Sequence, residues 1–111
     1  MSSVYIRLET ALQQLQQVMI NHGEWQAIAP SADAFASESP FCADTMTFSQ
    51  WLQWLFIPRL QALIDAQGTL PSNCAVAPMA DVSYMDDETK RDQMTQALSQ
   101  VDAVLTGENL D

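Results

Sequence analysis

The stretch TFSQWLQWLFIPRLQALIDAQG, residues 47–68, decides the fold class. Thr47 and Gln50 stand in the T-x-x-Q relation of a capping box, where each side chain satisfies the other's free backbone N–H, and Met46 is placed to staple onto Trp51. Phe48, Trp51, Leu52, Leu55, Phe56, Leu60, Leu63 and Ile64 then recur at helical spacing and make one broad apolar face. Gly68 is a natural stop. Pro58 falls inside this pattern. It has no N–H to offer the Trp54 carbonyl, so the axis is expected to bend near Trp54.

Arg59 follows the proline and is the only basic residue between Arg7 and Lys90. A guanidinium drawn into a helix contact needs a partner, because an unpaired buried charge is costly. The partner is either a protein carboxylate, with Asp44 the candidate, or an external anion held by the planar fork of donors. Of the two, the internal pair is favoured. Trp54 lies about 60° from the main apolar face, which suits the flank of a core better than a contact surface. Arg59, Asp44 and Trp54 are thus the candidate ligand-binding residues.

Two further helices flank this one. Val4, Leu8, Ala11, Leu12, Leu15, Val18 and Met19 mark the first, with Ser2 or Ser3 to cap it, His22-Gly23 to end it, and glutamines filling its polar side. Asp86 or Asp87 opens the last, where consecutive acids complement the positive helix end; Met94, Ala97, Leu98, Val101, Val104 and Leu105 are its buried stripe and Gly107 its stop. Asp86 faces Lys90 and Asp87 faces Arg91 at i, i+4 in that helix. The connections at 24–46 and 69–85 contain Pro30, Pro40, Pro71 and Pro78, and only a short turn through 32–37, capped by Ser31, is expected in the first. Trp25, Ile28, Phe35 and Phe41 in one, and Val76, Met79, Val82 and Tyr84 in the other, argue that both are packed against the helices. With no strand alternation and no repeat, the expectation is an all-α protein: a small helical bundle of three long helices plus one or two short helical turns, with long packed proline-containing connections. A length of 111 residues fits a single domain, 1–111.

Charge excludes several function classes. A formal charge of −10 with only Arg7, Arg59, Lys90 and Arg91 basic would repel a phosphate backbone, so direct nucleic-acid binding is disfavoured. The acids suit either solubility or docking on a basic protein surface, solubility being the commoner reason. There is no secretion-type start and no apolar run long enough to span a membrane, so a soluble, cytoplasmic protein with reduced cysteines is expected.

Catalytic patterns are equally sparse. One histidine and two separated cysteines make no zinc motif, and Asp86, Asp87 and Glu88 lack the alternating ligands of a calcium loop, so no metal and no cofactor are expected. Cys42, His22 and Asp44 are the residue types of a thiol triad, but no local signature accompanies them and a buried or loop cysteine is favoured. Phosphate loop, nucleophile elbow and basic aromatic patch are all missing. No catalytic residue is assigned.

The strings SPFCADTM, WLQWLFIPRLQALI and LPSNCAVAP, occurring in one order, resemble the YqcC-like family of small bacterial proteins, and the resemblance runs from Trp25 to Pro78. The resemblance implies an all-α fold. It also implies a gene often found beside a transfer-RNA pseudouridine synthase, and so an association with that enzyme, without carrying over any catalytic residue. Synthases of that kind use an aspartate in a much larger mixed α/β domain, which this short acidic chain does not resemble. The favoured function is a non-catalytic acidic interaction or accessory module with a protein partner. The alternative is a small-ligand or anion binder, or an enzyme, with its pocket near Arg59.

Overall fold

The computed structural model describes residues 3–37, 45–71 and 75–106. Ser2, Pro40, Phe41, Cys42, Asp44 and Gly107, all named above, lie outside the described residues, as does the second cysteine, Cys74. Among the described residues, five α-helical segments run in the order α1 (Ser3–Asn21), α2 (Phe48–Trp51), α3 (Ile57–Ala66), α4 (Ala77–Ser83) and α5 (Glu88–Thr106). A 3-10 turn, Ala32–Ala36, precedes α2, and a π-helical segment, Leu52–Phe56, joins α2 to α3. No strand occurs among the described residues. The protein is all-α, with three long helical stretches and two short elements among the described residues, in line with the expectation.

The capping box forms as the sequence requires. Thr47 N–H donates to Gln50 Oε1 at 2.9 Å, Gln50 N–H donates to Thr47 Oγ1 at 3.1 Å, and Met46 is buried with Ala34 in a small cluster against which Trp51 and Leu55 pack. Downstream, the irregularity expected near Trp54 is the π segment: Ile57 N–H reaches back five residues to Leu52 O. This wider turn lies just ahead of Pro58, where an α-helical turn would press the proline ring on the carbonyl of Trp54. It also brings residues five apart onto one side, so Trp51 and Phe56 stack with ring centroids 5.1 Å apart.

The core lies between α1, the second long helix, α4 and α5. Leu8, Leu15, Met19, Leu52, Met94, Leu98 and Val101 are fully buried, and all six residues expected on the stripe of α5 are buried with them. Val4, Val18, Trp25 and Leu63 pack at its margin. Tyr5 O–H donates to Gly68 O at 2.7 Å and fastens α1 to the end of α3.

Several local expectations are corrected. Gly23 ends α1 in the left-handed conformation (φ 71), with Glu24 N–H on Met19 O and Gly23 N–H on Ile20 O, but at the end of α3 the left-handed residue is Gln67 (φ 51) rather than Gly68. Gly68 instead donates its N–H to Leu63 O, where a Cβ would come within 3.2 Å of Leu63 Cδ2. The second connection contains a helix, α4, which starts with Pro78 in its first turn and with Ala77 N–H held by Asp102 Oδ2 at 2.8 Å. Its seven residues are too few to show a period, and α5 supplies the partner that stabilises them. Ser31 precedes the 3-10 turn without capping it through its side chain. Packing of the connections is partial: Val76 and Tyr84 are buried, whereas Ile28 and Val82 are exposed.

Candidate functional site

Of the three residues singled out in the sequence, Arg59 and Trp54 are described. Arg59 is exposed on α3 and makes no ion pair with a described carboxylate. Trp54 is half-buried in the π segment, with its Nε1 shielded from solvent and without a hydrogen-bond partner. Neither lines the cleft between α1 and α5 or the cleft beside Lys90. Asp44 lies outside the described residues.

The structure brings together a different set: Glu24, Ser49, Tyr84 and Lys90. Each is positioned by a helix end. Glu24 follows the left-handed Gly23 and donates its backbone N–H to Met19 O, which turns the chain back over α2. Ser49 sits in the first turn of α2. Tyr84 closes α4, with its N–H on Ala80 O at 3.1 Å. Asp87 caps α5, its Oδ1 accepting from Lys90 N–H at 3.0 Å. The side-chain pairs Asp86–Lys90 and Asp87–Arg91 expected on α5 do not form. Lys90 Nζ goes to Glu24 Oε2 at 2.9 Å, and Arg91 Nε stands 3.9 Å from both Asp81 and Asp92. A half-buried carboxylate in reach competes better for an ammonium than a solvated neighbour on the same helix.

Hydrogen-bond direction in this clasp follows from charge. Glu24 is an ionised acceptor, so Ser49 O–H donates to Glu24 Oε1 at 2.6 Å. Ser49 Oγ is then left as the acceptor for the short bond from Tyr84 O–H. Burial pushes the Glu24 carboxyl up, but the bonds from Ser49 and Lys90 outweigh it and leave its pKa below the ordinary value of 4.5. The hydrogen bond to Glu24 raises Lys90 against the effect of its own burial. Burial pushes Tyr84 up to about 12, with the Glu24 charge adding to the rise and the Ser49 bond opposing it. Lys90 Nζ also lies 5.9 Å from the centroid of the Tyr84 ring.

Chemically, the three ionisable groups move away from neutrality. Glu24 stays an anion, Lys90 a cation and Tyr84 a phenol, so none is tuned as a general acid or base near pH 7. Ser49 has a carboxylate of lowered basicity rather than an activating base beside it. A cleft of about 240 Å³ opens beside the clasp, lined by Thr47, Phe48, Ser83 and Asp86 as well. What the arrangement does is lock four chain segments to one another: the 24–31 connection, α2, α4 and α5. Gln53, also buried, extends the lock by accepting from Gln26 N–H at 2.8 Å and donating to Gln26 O at 2.6 Å. Among the described residues no group of histidines, cysteines and carboxylates could hold a metal, and no helix is long and apolar enough to cross a membrane.

Sequence reasoning missed this clasp because its members lie up to 66 positions apart. The one local signal was the helix-ending Gly23 placing an acid directly behind α1.

The α4–α5 corner borders the clasp, with Ser83, Tyr84 and Asp86 lining the cleft beside it. There Val82 and Met85 are 66% and 69% exposed, with Asp81, Asp86 and Asp87 exposed around them.

A small all-α protein whose polar residues knit its helix ends together is the class that fold and site define. A family model, DUF446, described as tRNA pseudouridine synthase C, matches residues 7–104. The chain belongs to this family, that of the YqcC-like proteins. It is 35% identical over 98 residues to the uncharacterized protein YqcC of Escherichia coli, covering 88% of this chain and 90% of the relative. An uncharacterized protein of Haemophilus influenzae is 42% identical over 87 residues, 78% of this chain and 77% of that one. The solution NMR structure of E. coli YqcC superposes with a TM-score of 0.83 at 32% identity, over 95% of this chain and 90% of that one. A tRNA pseudouridine synthase C of Pectobacterium carotovorum contains a stretch 49% identical over 47 residues, 42% of this chain but 12% of that protein.

Proposed function

We propose that this chain is a non-catalytic accessory module that acts with a tRNA pseudouridine synthase. The observation that carries the reading is the 47-residue stretch, 49% identical, that occurs within a much longer protein named as that enzyme. A segment joined to an enzyme in one organism and separate in another commonly works beside it in both. The clasp supports a non-catalytic role, since its groups are held in fixed protonation states and Ser49 lacks a base. Acidity fits as well: a chain of charge −10 gains nothing by touching RNA directly but is attracted to the basic surface that an RNA-modifying enzyme must carry.

The test combines the purified chain with the tRNA pseudouridine synthase C of the same organism. Sedimentation velocity should give a complex, and the rate of pseudouridine formation in tRNA should change on adding the chain, which alone forms none. Absence of a complex, or pseudouridine formed by the chain alone, would sink the reading. Exposure of Arg59 without an ion pair to a described carboxylate favours a second reading, an anion held at α3. A rise in melting temperature with phosphate or citrate that Arg59→Ala abolishes would support it.

A further inference from the structure

We propose that the α4–α5 corner is the docking surface of this chain: Val82 and Met85 form an apolar knob that enters a pocket rimmed by lysine or arginine on the synthase. The inference rests on the accessory reading and names the surface through which it would operate.

Three observations converge on the corner. Ala80 and Tyr84 are buried at 0% and 6%, while Val82 and Met85 between and beyond them are 66% and 69% exposed, so the chain turns two apolar side chains outward from a firmly anchored base. The base is rigid. Tyr84 is gripped by Ser49 and by Ala80 O, and Asp87 N–H donates to Tyr84 O at 3.1 Å. A knob fixed in advance loses little entropy on binding, and methionine adapts its shape to an apolar pocket.

Charge selects the occupant. Asp81, Asp86 and Asp87 adjoin Val82 and Met85 in the chain, Glu88 and Asp92 lie in the first turns of α5, and all are exposed. Of the nearby cations, Lys90 is taken up by Glu24, and Arg91 stands near Asp81 and Asp92 without leaving a positive excess. The rim is therefore acidic, which disfavours a second copy of the same corner and an anionic lipid surface. A pocket bordered by basic residues meets it with complementary charge. An enzyme that neutralises tRNA phosphates carries such residues of necessity.

The test titrates the full chain into the purified synthase by calorimetry, comparing wild type, Val82→Ser/Met85→Ser, Asp81→Asn/Asp86→Asn and Ile6→Ser. Ile6 is an exposed control near Val104, at the end of the bundle away from the start of α5. Circular dichroism melts establish that each variant is folded. The double serine variant should bind about tenfold or more weakly, as for loss of a central apolar anchor, and Ile6→Ser should bind like wild type. The asparagine variant should bind a few-fold more weakly, with a shallower dependence on salt. Equal binding by the double serine variant and Ile6→Ser would overturn the corner as docking surface and leave the accessory reading standing. An unchanged salt dependence in the asparagine variant would overturn the basic rim. No binding by wild type would remove the accessory reading and this inference with it.

Discussion

Replacing Ser49 by alanine tests the clasp most directly, because one oxygen holds two partners. Ser49 and Tyr84 are 5% and 6% exposed, so the phenol left behind has little access to water. A buried donor without an acceptor costs about 1–3 kcal/mol, and a lost bond to an ionised carboxylate about 1.5–3 kcal/mol. Glu24 retains Lys90 and is 25% exposed, so water recovers much of the second contribution. The expected loss is about 2–3 kcal/mol, or about 10 °C in melting temperature for a domain of this size. Tyr84→Phe removes the phenol but leaves the Ser49–Glu24 bond, and should cost about 1 kcal/mol. The double variant no longer strands the phenol. Its cost should fall below the sum of the two by about 1 kcal/mol, read from urea unfolding with an unchanged denaturant slope. Additivity to within about 0.3 kcal/mol would mean that the two hydroxyls are not coupled and would refute the clasp as drawn.

Four other perturbations have defined outcomes. Glu24 has a lowered pKa, so its contribution is present above the ordinary value of 4.5 and lost as pH falls through the lower folded value; the stability gap between wild type and Glu24→Gln should narrow on acidification below pH 4.5 in urea melts. Lys90 and Tyr84 have raised pKa values, so their contributions are intact below their ordinary values of 10.5 and 10.0 and lost above; wild type should weaken steeply from pH 10 towards 12, and Tyr84→Phe less so. Gln67→Gly should raise stability by about 0.5–1 kcal/mol by relieving the left-handed backbone, whereas Gly23→Ala should lower it by about 1 kcal/mol, both by thermal denaturation. Arg59→Ala should change stability by no more than about 0.5 kcal/mol, since the side chain is exposed; a loss of several kcal/mol would reveal a buried pair after all.

Much of the fold was legible because its signals are local. The Thr47–Gln50 box, the apolar stripe of α5 and the stop at Gly23 each depend on residues within a turn or two, and the chain adopts them as written. Helix α4 was not legible, because seven residues carry no period and its stability comes from α5. The left-handed Gln67 was hidden for a related reason: Gly68 next to it looked like the stop, but its small size serves the close approach to Leu63. For the candidate site the balance reverses. Arg59 stood out in the sequence as a charge within an apolar run, yet the π turn and the face of α3 leave it in solvent.

By itself the sequence determined an all-α chain, the extent of its three long helices and a formal charge of −10, since capping, periodicity and net charge are properties of neighbours or of sums. Only the tertiary structure decided which polar groups meet. Glu24 takes Lys90 in preference to the acids one turn away because packing α1 against α5 brings a half-buried carboxylate within 2.9 Å, where its field is less screened than that of a solvated neighbour. The same packing buries Tyr84 and turns Val82 and Met85 outward, a division that two apolar residues and a tyrosine in a loop-like stretch could not announce on their own.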